Sequence, residues 1–148
     1  MKRITLMAIA LGVAACATAQ MSVVKDAQRA AKEGKPFSEV VGIITPALTN
    51  PETAGSSDTW MVPGKAAYDQ YDKLVANKQL HMFKNAQDTI NQDMLLVPAY
   101  EYYMKALAVD TIIDKKGKPK TKNSKKILDT FVGHLNDYYM AGAELYNF

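Results

Sequence analysis

WMVPGKAAY, residues 60–68, places Trp60, Gly64 and Tyr68 at intervals of four residues. Residues spaced by four lie on one face of an α-helix. An aromatic residue on either side of a glycine predicts a helix that its neighbour approaches closely at Gly64, because glycine has no side chain to separate the two backbones. This helical face is therefore expected to lie in the protein core.

The same spacing recurs near the end of the sequence, and a related pattern lies between the two copies. The second copy consists of Tyr138, Gly142 and Tyr146. The intervening pattern has an alanine on each side of an aromatic residue, again on one helical face: Ala99, Tyr103 and Ala106. All of these residues are expected to form contacts between closely packed helices.

This succession of an aromatic–glycine–aromatic helix and an Ala-x3-aromatic-x2-Ala helix resembles the tetratricopeptide repeat (TPR). The resemblance implies an all-α fold of about five helices, arranged as antiparallel pairs stacked into a short TPR-like α-solenoid. It also implies a protein that binds other macromolecules. The spacing departs from the family, because Trp60 and Tyr138 lie 78 residues apart whereas the repeat period is about 34 residues.

The chain as a whole resembles exported bacterial proteins in which a signal peptide is followed by several such repeats. In those proteins a segment like ALTNPET, residues 47–53, precedes a helix that carries a tryptophan.

Hydrophobic periodicity and helix breakers predict the positions of the helices. The first helix is expected to end at Gly34, the second to begin near Pro36, and the third to be capped by Ser57 or Asp58. The remaining segments are predicted as an irregular insertion over 78–88, a fourth helix over 89–109, a lysine-rich loop over 110–123 and a fifth helix over 124–148. No strand is expected.

Residues 1–19 have the features of a secretory signal peptide. A positively charged start precedes an apolar run over 4–15, which is too short to span a bilayer, and a small-x-small cleavage motif follows it. Residues 20–148 are then a single TPR-like domain, periplasmic or secreted, and either complete or the N-terminal part of a longer array. The residues before Cys16 also resemble a lipobox, so acylation of Cys16 in an outer-membrane lipoprotein is the alternative.

Charge is distributed unevenly along the chain. Residues 20–148 contain 16 basic and 15 acidic residues, but residues 115–126 contain no acidic residue. This lysine loop carries Lys115, Lys116, Lys118, Lys120, Lys122, Lys125 and Lys126. The loop is expected either to be merely solvated or to contact an anionic envelope component, such as phospholipid headgroups or an acidic polysaccharide. Nucleic acid is not expected as a partner, because aromatic residues are not interleaved with the lysines.

Two tyrosines beside the predicted core positions are candidates for ligand contacts. Tyr102 and Tyr139 are expected at an exposed groove, where their rings can stack on a peptide or a sugar. No enzyme, cofactor or metal site is predicted, because residues 20–148 contain no cysteine and no glycine-rich phosphate loop, and His81 and His134 are far apart in sequence. His134 is interpreted as a surface histidine beside a carboxylate.

The sequence thus predicts a non-catalytic scaffold of the cell envelope that binds a protein or peptide in a groove between helix pairs. Two alternatives stay open: a Cys16-anchored lipoprotein subunit, and a glycan-binding module that uses exposed tyrosines. The C-terminal helix is expected to leave apolar side chains uncovered. It is interpreted as a cap, as a surface for self-association, or as the start of a further repeat.

Overall fold

The computed structural model describes residues 21–81 and 93–146. These residues are mostly helical and include one two-stranded hairpin. The predicted signal peptide, Cys16 and the segment 82–92 lie outside the described residues. No helix within the described ranges is long and apolar enough to cross a membrane.

Seven helices and two strands follow one another within these ranges. The helices are α1 (21–32), α2 (Phe37–Thr49), α3 (Pro51–Ala54), α4 (Ser57–His81), α5 (Asp93–Ala108), α6 (Ser124–Gly133) and α7 (Leu135–Tyr146). The strands are β1 (Thr111–Ile113) and β2 (Pro119–Thr121). The expectation of about five helices without a strand is therefore wrong in its count and in the absence of strands.

The first correction concerns the predicted lysine loop, which contains an antiparallel hairpin. Ile112 lies opposite Lys120, and Ile113 lies opposite Pro119. The turn between the strands is held by the Asp114 carboxylate, which accepts hydrogen bonds from the backbone amides that follow it at 2.8 and 2.9 Å. Gly117 adopts a φ of +73°, which favours glycine. The β-branched run before an aspartate–glycine turn explains why this segment forms strands.

The second correction concerns the predicted fifth helix, which is divided into α6 and α7. Gly133 ends α6, and His134 follows with φ −99° and ψ 10° before α7 begins. Glycine weakens a helix interior, and the His134 side chain is held by Asp137 on α7 and by aromatic residues on α4. The break therefore combines a weak helical position with a side chain anchored elsewhere.

Helices α4 and α5 are antiparallel and form the centre of the fold. Gly64 of α4 lies beneath the Tyr103 ring, so close that an added Cβ would stand 2.3 Å from the ring carbon Cδ1. Tyr103 is 2% exposed, and its ring centroid lies 5.2 Å from that of Tyr68. These three residues form the tight contact between the two helices.

Helices α1 and α2 form a second antiparallel pair that packs on α4. The turn between them contains Gly34, with a φ of +76°, and Pro36, as the sequence predicts. The buried residues of α2 have the same spacing as the buried residues of α5: Val40, Ile44 and Ala47 on α2, and Ala99, Tyr103 and Ala106 on α5. Both helices thus bury one face of identical periodicity.

Candidate binding groove

One face of α4 lies at the bottom of a groove between α1 on one side and α6 with His134 on the other. Two cavities of about 340 Å³ each lie along this face. Lys65 of α4 and Lys126 of α6 line both cavities, so the cavities adjoin. We refer to the two cavities together as the α4 groove.

The first cavity has an apolar base and a basic rim. Met61 and Val62 of α4 are 9% and 6% exposed and lie at its base, and Lys32 of α1 joins the two shared lysines around it. Asp58 also lines this cavity. The hydrogen bond from Lys122 is the main cause that lowers the pKa of Asp58, so this carboxylate is ionised and already paired. Lys65 is ion-paired with Asp69, so the positive charge of this cavity comes mainly from Lys32 and Lys126.

The second cavity has a rim of mixed charge. Asp69 and Asp72 of α4 line it beside the two shared lysines, together with Thr130 and His134 of the facing segment. Burial raises the pKa of Asp72, His134 opposes that change, and the neighbouring carboxylates add to it. The α4 groove thus changes along its length from a basic cavity to one of mixed charge, in which Asp72 is the carboxylate not paired with Lys65.

His134 is packed against α4 rather than exposed. Its ring stacks on Tyr68 with centroids 4.5 Å apart and meets Tyr71 edge-on at 5.9 Å. Its Nδ1 lies 2.9 Å from the Asp137 carboxylate and 3.8 Å from the Asp72 carboxylate. The side chain is only 14% exposed, so the expected nearby carboxylate is present but the expected surface position is wrong.

A hydroxyl network joins α7 to the central helix pair. The Tyr68 and Tyr138 hydroxyls are hydrogen-bonded to each other, and the Tyr138 hydroxyl donates to the Leu96 carbonyl at 3.2 Å. Burial, and then the Tyr138 hydrogen bond, raise the pKa of Tyr68 well above its ordinary value. The Tyr68 hydroxyl therefore stays protonated and serves packing.

A buried carboxylate that the sequence did not suggest joins α4, the hairpin and α6. Asp110 is 1% exposed and accepts hydrogen bonds from the Ser57 hydroxyl at 2.6 Å and the Ser124 hydroxyl at 2.7 Å. It also accepts from the backbone amides of Lys122, Asn123 and Ser124. Each of these partners donates its hydrogen bond to the carboxylate, so Asp110 is an ionised residue that holds these segments together.

The nine predicted core positions fall into two groups. Five of them are buried in the central cluster: Tyr68, Ala99, Tyr103, Ala106 and, beneath Tyr103, Gly64. Trp60 is half-buried, donates from its indole to the Ala54 carbonyl at 2.7 Å, and has the Lys105 ammonium 5.1 Å from its ring. Tyr138 and Gly142 are also half-buried, and the Tyr146 side chain lies outside the described part of the structure.

The two tyrosines predicted as partner contacts do not line the α4 groove. Tyr102 is half-buried, with its ring centroid 6.2 Å from Phe37 and 6.3 Å from Trp60. Tyr139 is 73% exposed on α7. Tyr102 therefore contributes to packing, whereas Tyr139 is available to a partner.

The predicted lysine surface is partly neutralised by carboxylates from other segments. Lys122 forms an ion pair with Asp58, and the Lys120 ammonium lies 3.5 Å from Asp114. Within the described residues no ion pair involves Lys115, Lys116 or Lys118.

Helices α6 and α7 also expose a row of apolar side chains on the outside of the fold. At least half of the surface of each is exposed: Leu128, Val132, Leu135, Tyr139 and Met140. Tyr138, which adjoins this row, instead points inward to Tyr68.

Sequence reasoning did not identify the residues of the α4 groove. Lys65, Asp69 and Asp72 follow each other at helical spacing beside the core positions, which is the only available signal. Such a pattern equally describes an ordinary solvated helix face.

Comparisons with protein-family models, curated proteins and solved structures found no match to this chain. Among the described residues, no group of three or more histidine, cysteine, aspartate or glutamate side chains is placed to hold a metal ion.

Proposed function

We propose that this protein is a non-catalytic, TPR-like α-solenoid scaffold that binds an extended segment of a protein or peptide in the α4 groove. The observation that carries this proposal is that residues of four helices, α1, α4, α5 and α6, line two adjoining cavities. Support for the solenoid comes from the two antiparallel helix pairs, whose second helices bury residues at the same spacing. The α6–α7 segment would then occupy the position of the third pair.

The size of the groove suits a short extended segment. Asp58 and Asp72 lie at its two ends, and a helix rises 1.5 Å per residue, so the groove is about 21 Å long. An extended chain rises about 3.3 Å per residue. The groove therefore accommodates about six residues of a partner.

The charges of the groove define the chemistry of that partner. Lys65 and Asp69 form an ion pair with each other, which leaves Lys32 and Lys126 to favour an acidic side chain in the first cavity and Asp72 to favour a basic side chain in the second. The apolar base at Met61 lies in the first cavity and favours an apolar side chain beside the acidic one. A segment with an apolar and an acidic residue at one end and a basic residue at the other is the expected ligand.

Selection of peptides from a random display library tests this proposal. Selected peptides would be measured by fluorescence polarisation against the wild-type protein and against Lys126→Glu. Lys126 lines both cavities and forms no ion pair among the described residues, so reversing its charge should weaken binding about tenfold or more, which corresponds to about 1.4 kcal/mol. Unchanged circular dichroism would show that the variant is folded.

Lys25→Glu is the matched control, because Lys25 is exposed on α1 and lines neither cavity. This variant carries the same change in charge and should bind the selected peptides as the wild type does. Equal effects of the two substitutions, or a library that yields no binder, would contradict a peptide-binding groove.

Export of the chain is a separate proposal, supported by the sequence of residues 1–19. The intact mass of the protein purified from its own cells tests it. A mass that matches a chain beginning at Gln20 supports simple cleavage, and a mass that matches an acylated chain beginning at Cys16 supports the lipoprotein alternative. A mass that matches a chain still carrying residues 1–19 contradicts export.

A further inference from the structure

The hairpin β1–β2 stands out from the helical body. All six strand residues are exposed, so neither face of the hairpin packs on a helix. An isolated two-stranded hairpin is only marginally stable in water. Its persistence here requires an anchor at its base.

Asp110 provides that anchor. It immediately precedes β1, and its carboxylate accepts hydrogen bonds from the amides of Lys122 and Asn123, which immediately follow β2. The buried carboxylate therefore holds both ends of the hairpin to the start of α6. The hairpin is a fixed projection rather than a loose lysine-rich loop.

The two faces of the hairpin differ in chemistry. Successive residues of a strand point to opposite faces, so the register places Ile112 with Lys120 on one face. The opposite face is uncharged and consists of Thr111, Ile113, Pro119 and Thr121. Ile113 is 67% exposed on this uncharged face, and Ile112 is 52% exposed on the other.

The turn adds positive charge at the tip of the hairpin. Lys115, Lys116 and Lys118 are exposed and form no ion pair within the described residues. An uncharged face with an exposed isoleucine, next to a lysine-rich turn, is the chemistry of a segment that lies at the surface of an anionic bilayer.

We propose that the hairpin docks its uncharged face on an anionic lipid bilayer, with Ile113 at the boundary between headgroups and acyl chains. The turn lysines then bind headgroup phosphates. An acidic polysaccharide would also attract the lysines, but it has no apolar region in which an exposed isoleucine could be buried. Ile113 on the uncharged face therefore favours a lipid surface. This docking is independent of the α4 groove.

Tryptophan reporters at the two isoleucines test the orientation. Ile113→Trp and Ile112→Trp would be compared in the protein purified from its own cells, on vesicles of phosphatidylcholine with and without phosphatidylglycerol. Trp60 is the single tryptophan of the chain, so the wild type supplies the background. Ile113→Trp should shift to shorter emission wavelength and be quenched by brominated lipid on anionic vesicles, and Ile112→Trp should respond much less.

The contribution of the lysines is tested by replacing Lys115, Lys116 and Lys118 with glutamine. At about 1 kcal/mol for each lysine, partitioning onto anionic vesicles at low salt should fall about a hundredfold. The matched control replaces three exposed lysines outside the hairpin and should retain most of the binding: Lys25, Lys73 and Lys125.

Several outcomes would overturn the proposal. Equal responses of the two tryptophan reporters, or no response of either, would remove the uncharged face as the lipid contact. Equal losses in the two glutamine triples would show only general attraction of charge. Binding to dextran sulfate that matches binding to anionic vesicles, and that is unchanged by Ile113→Ser, would identify a polysaccharide surface instead.

Discussion

The segments Trp60–Tyr68 and Tyr138–Tyr146 have the same aromatic–glycine–aromatic spacing, but their glycines lie in different surroundings. A Cβ added at Gly64 would stand 2.3 Å from the Tyr103 ring. A Cβ added at Gly142 would meet nothing within 4 Å among the described residues. The expected close helix approach at Gly142 is therefore wrong within the described structure.

The difference arises from the neighbouring helix, not from the segment itself. Helix α5 follows α4 and places Tyr103 over Gly64, whereas no described helix covers the equivalent face of α7. Tyr138 turns inward to Tyr68, and Tyr139 beside it is 73% exposed. A local pattern thus marks a face suited to close packing, while the rest of the chain determines whether that face is covered.

The largest expected effect concerns the aromatic residue that covers Gly64. Tyr103→Ala removes a ring that is 2% exposed and leaves a cavity between α4 and α5, so it should lower the free energy of unfolding by about 3–5 kcal/mol. Tyr139→Ala is the control and should change stability by less than about 0.5 kcal/mol. Urea denaturation followed by circular dichroism measures both, and similar effects would remove the distinction between the two segments.

The next effect concerns the carboxylate that ties the C-terminal part to α4. Burial by itself raises the pKa of Asp110, but the hydrogen bonds from Ser57, Ser124 and the backbone outweigh burial and hold the pKa at about 2, below the ordinary 3.8. Because this pKa is lower in the folded state than in the unfolded state, the ionised carboxylate stabilises the folded state fully above about pH 4, and this stabilisation is lost as the pH falls towards 2. The difference between the two pKa values corresponds to about 2 kcal/mol of folding free energy.

Asp110→Ala should therefore destabilise the protein by about 3 kcal/mol at pH 7, because one buried and four part-buried donors lose their acceptor. Urea denaturation at pH 7 and at pH 3 measures the change in both variants. The wild type should lose stability between these values, and the variant should lose less. A variant with the same pH dependence as the wild type would show that another carboxylate is responsible.

A smaller effect is expected at Gly64 itself. Gly64→Ala forces the Tyr103 ring and its surroundings to move, and overpacking of this kind lowers the free energy of unfolding by about 1–3 kcal/mol. The loss of stability in the double variant Gly64→Ala/Tyr103→Leu should be smaller than the sum of the losses in the two single variants, because the smaller leucine side chain makes room for the methyl group. Thermal melts of the single and double variants provide the measurement, and additive losses would argue against direct contact.

The sequence was sufficient to predict which faces of the central helices are buried, but it was insufficient to predict the polar contacts between distant segments. Periodicity correctly placed Ala99, Tyr103 and Ala106 on one buried face, because the spacing of apolar residues along a helix determines which face is buried. Asp110 gave no such signal, because its partners at Ser57 and Ser124 are distant in sequence. The α4 groove was missed for the same reason, since residues of four separate helices line it.

The smallest expected effect has the opposite sign and tests the second segment. Gly142→Ala adds a methyl group where no described atom lies within 4 Å, and alanine favours a helix over glycine by up to about 1 kcal/mol. The variant should therefore be more stable by about 0.5–1 kcal/mol in urea denaturation. If another helix or a second copy of the chain packs on this face, the substitution should instead destabilise the protein or weaken self-association in sedimentation. A loss of stability at Gly142 similar to that at Gly64 would mean that both copies of the pattern are covered, the second by a partner beyond the described residues.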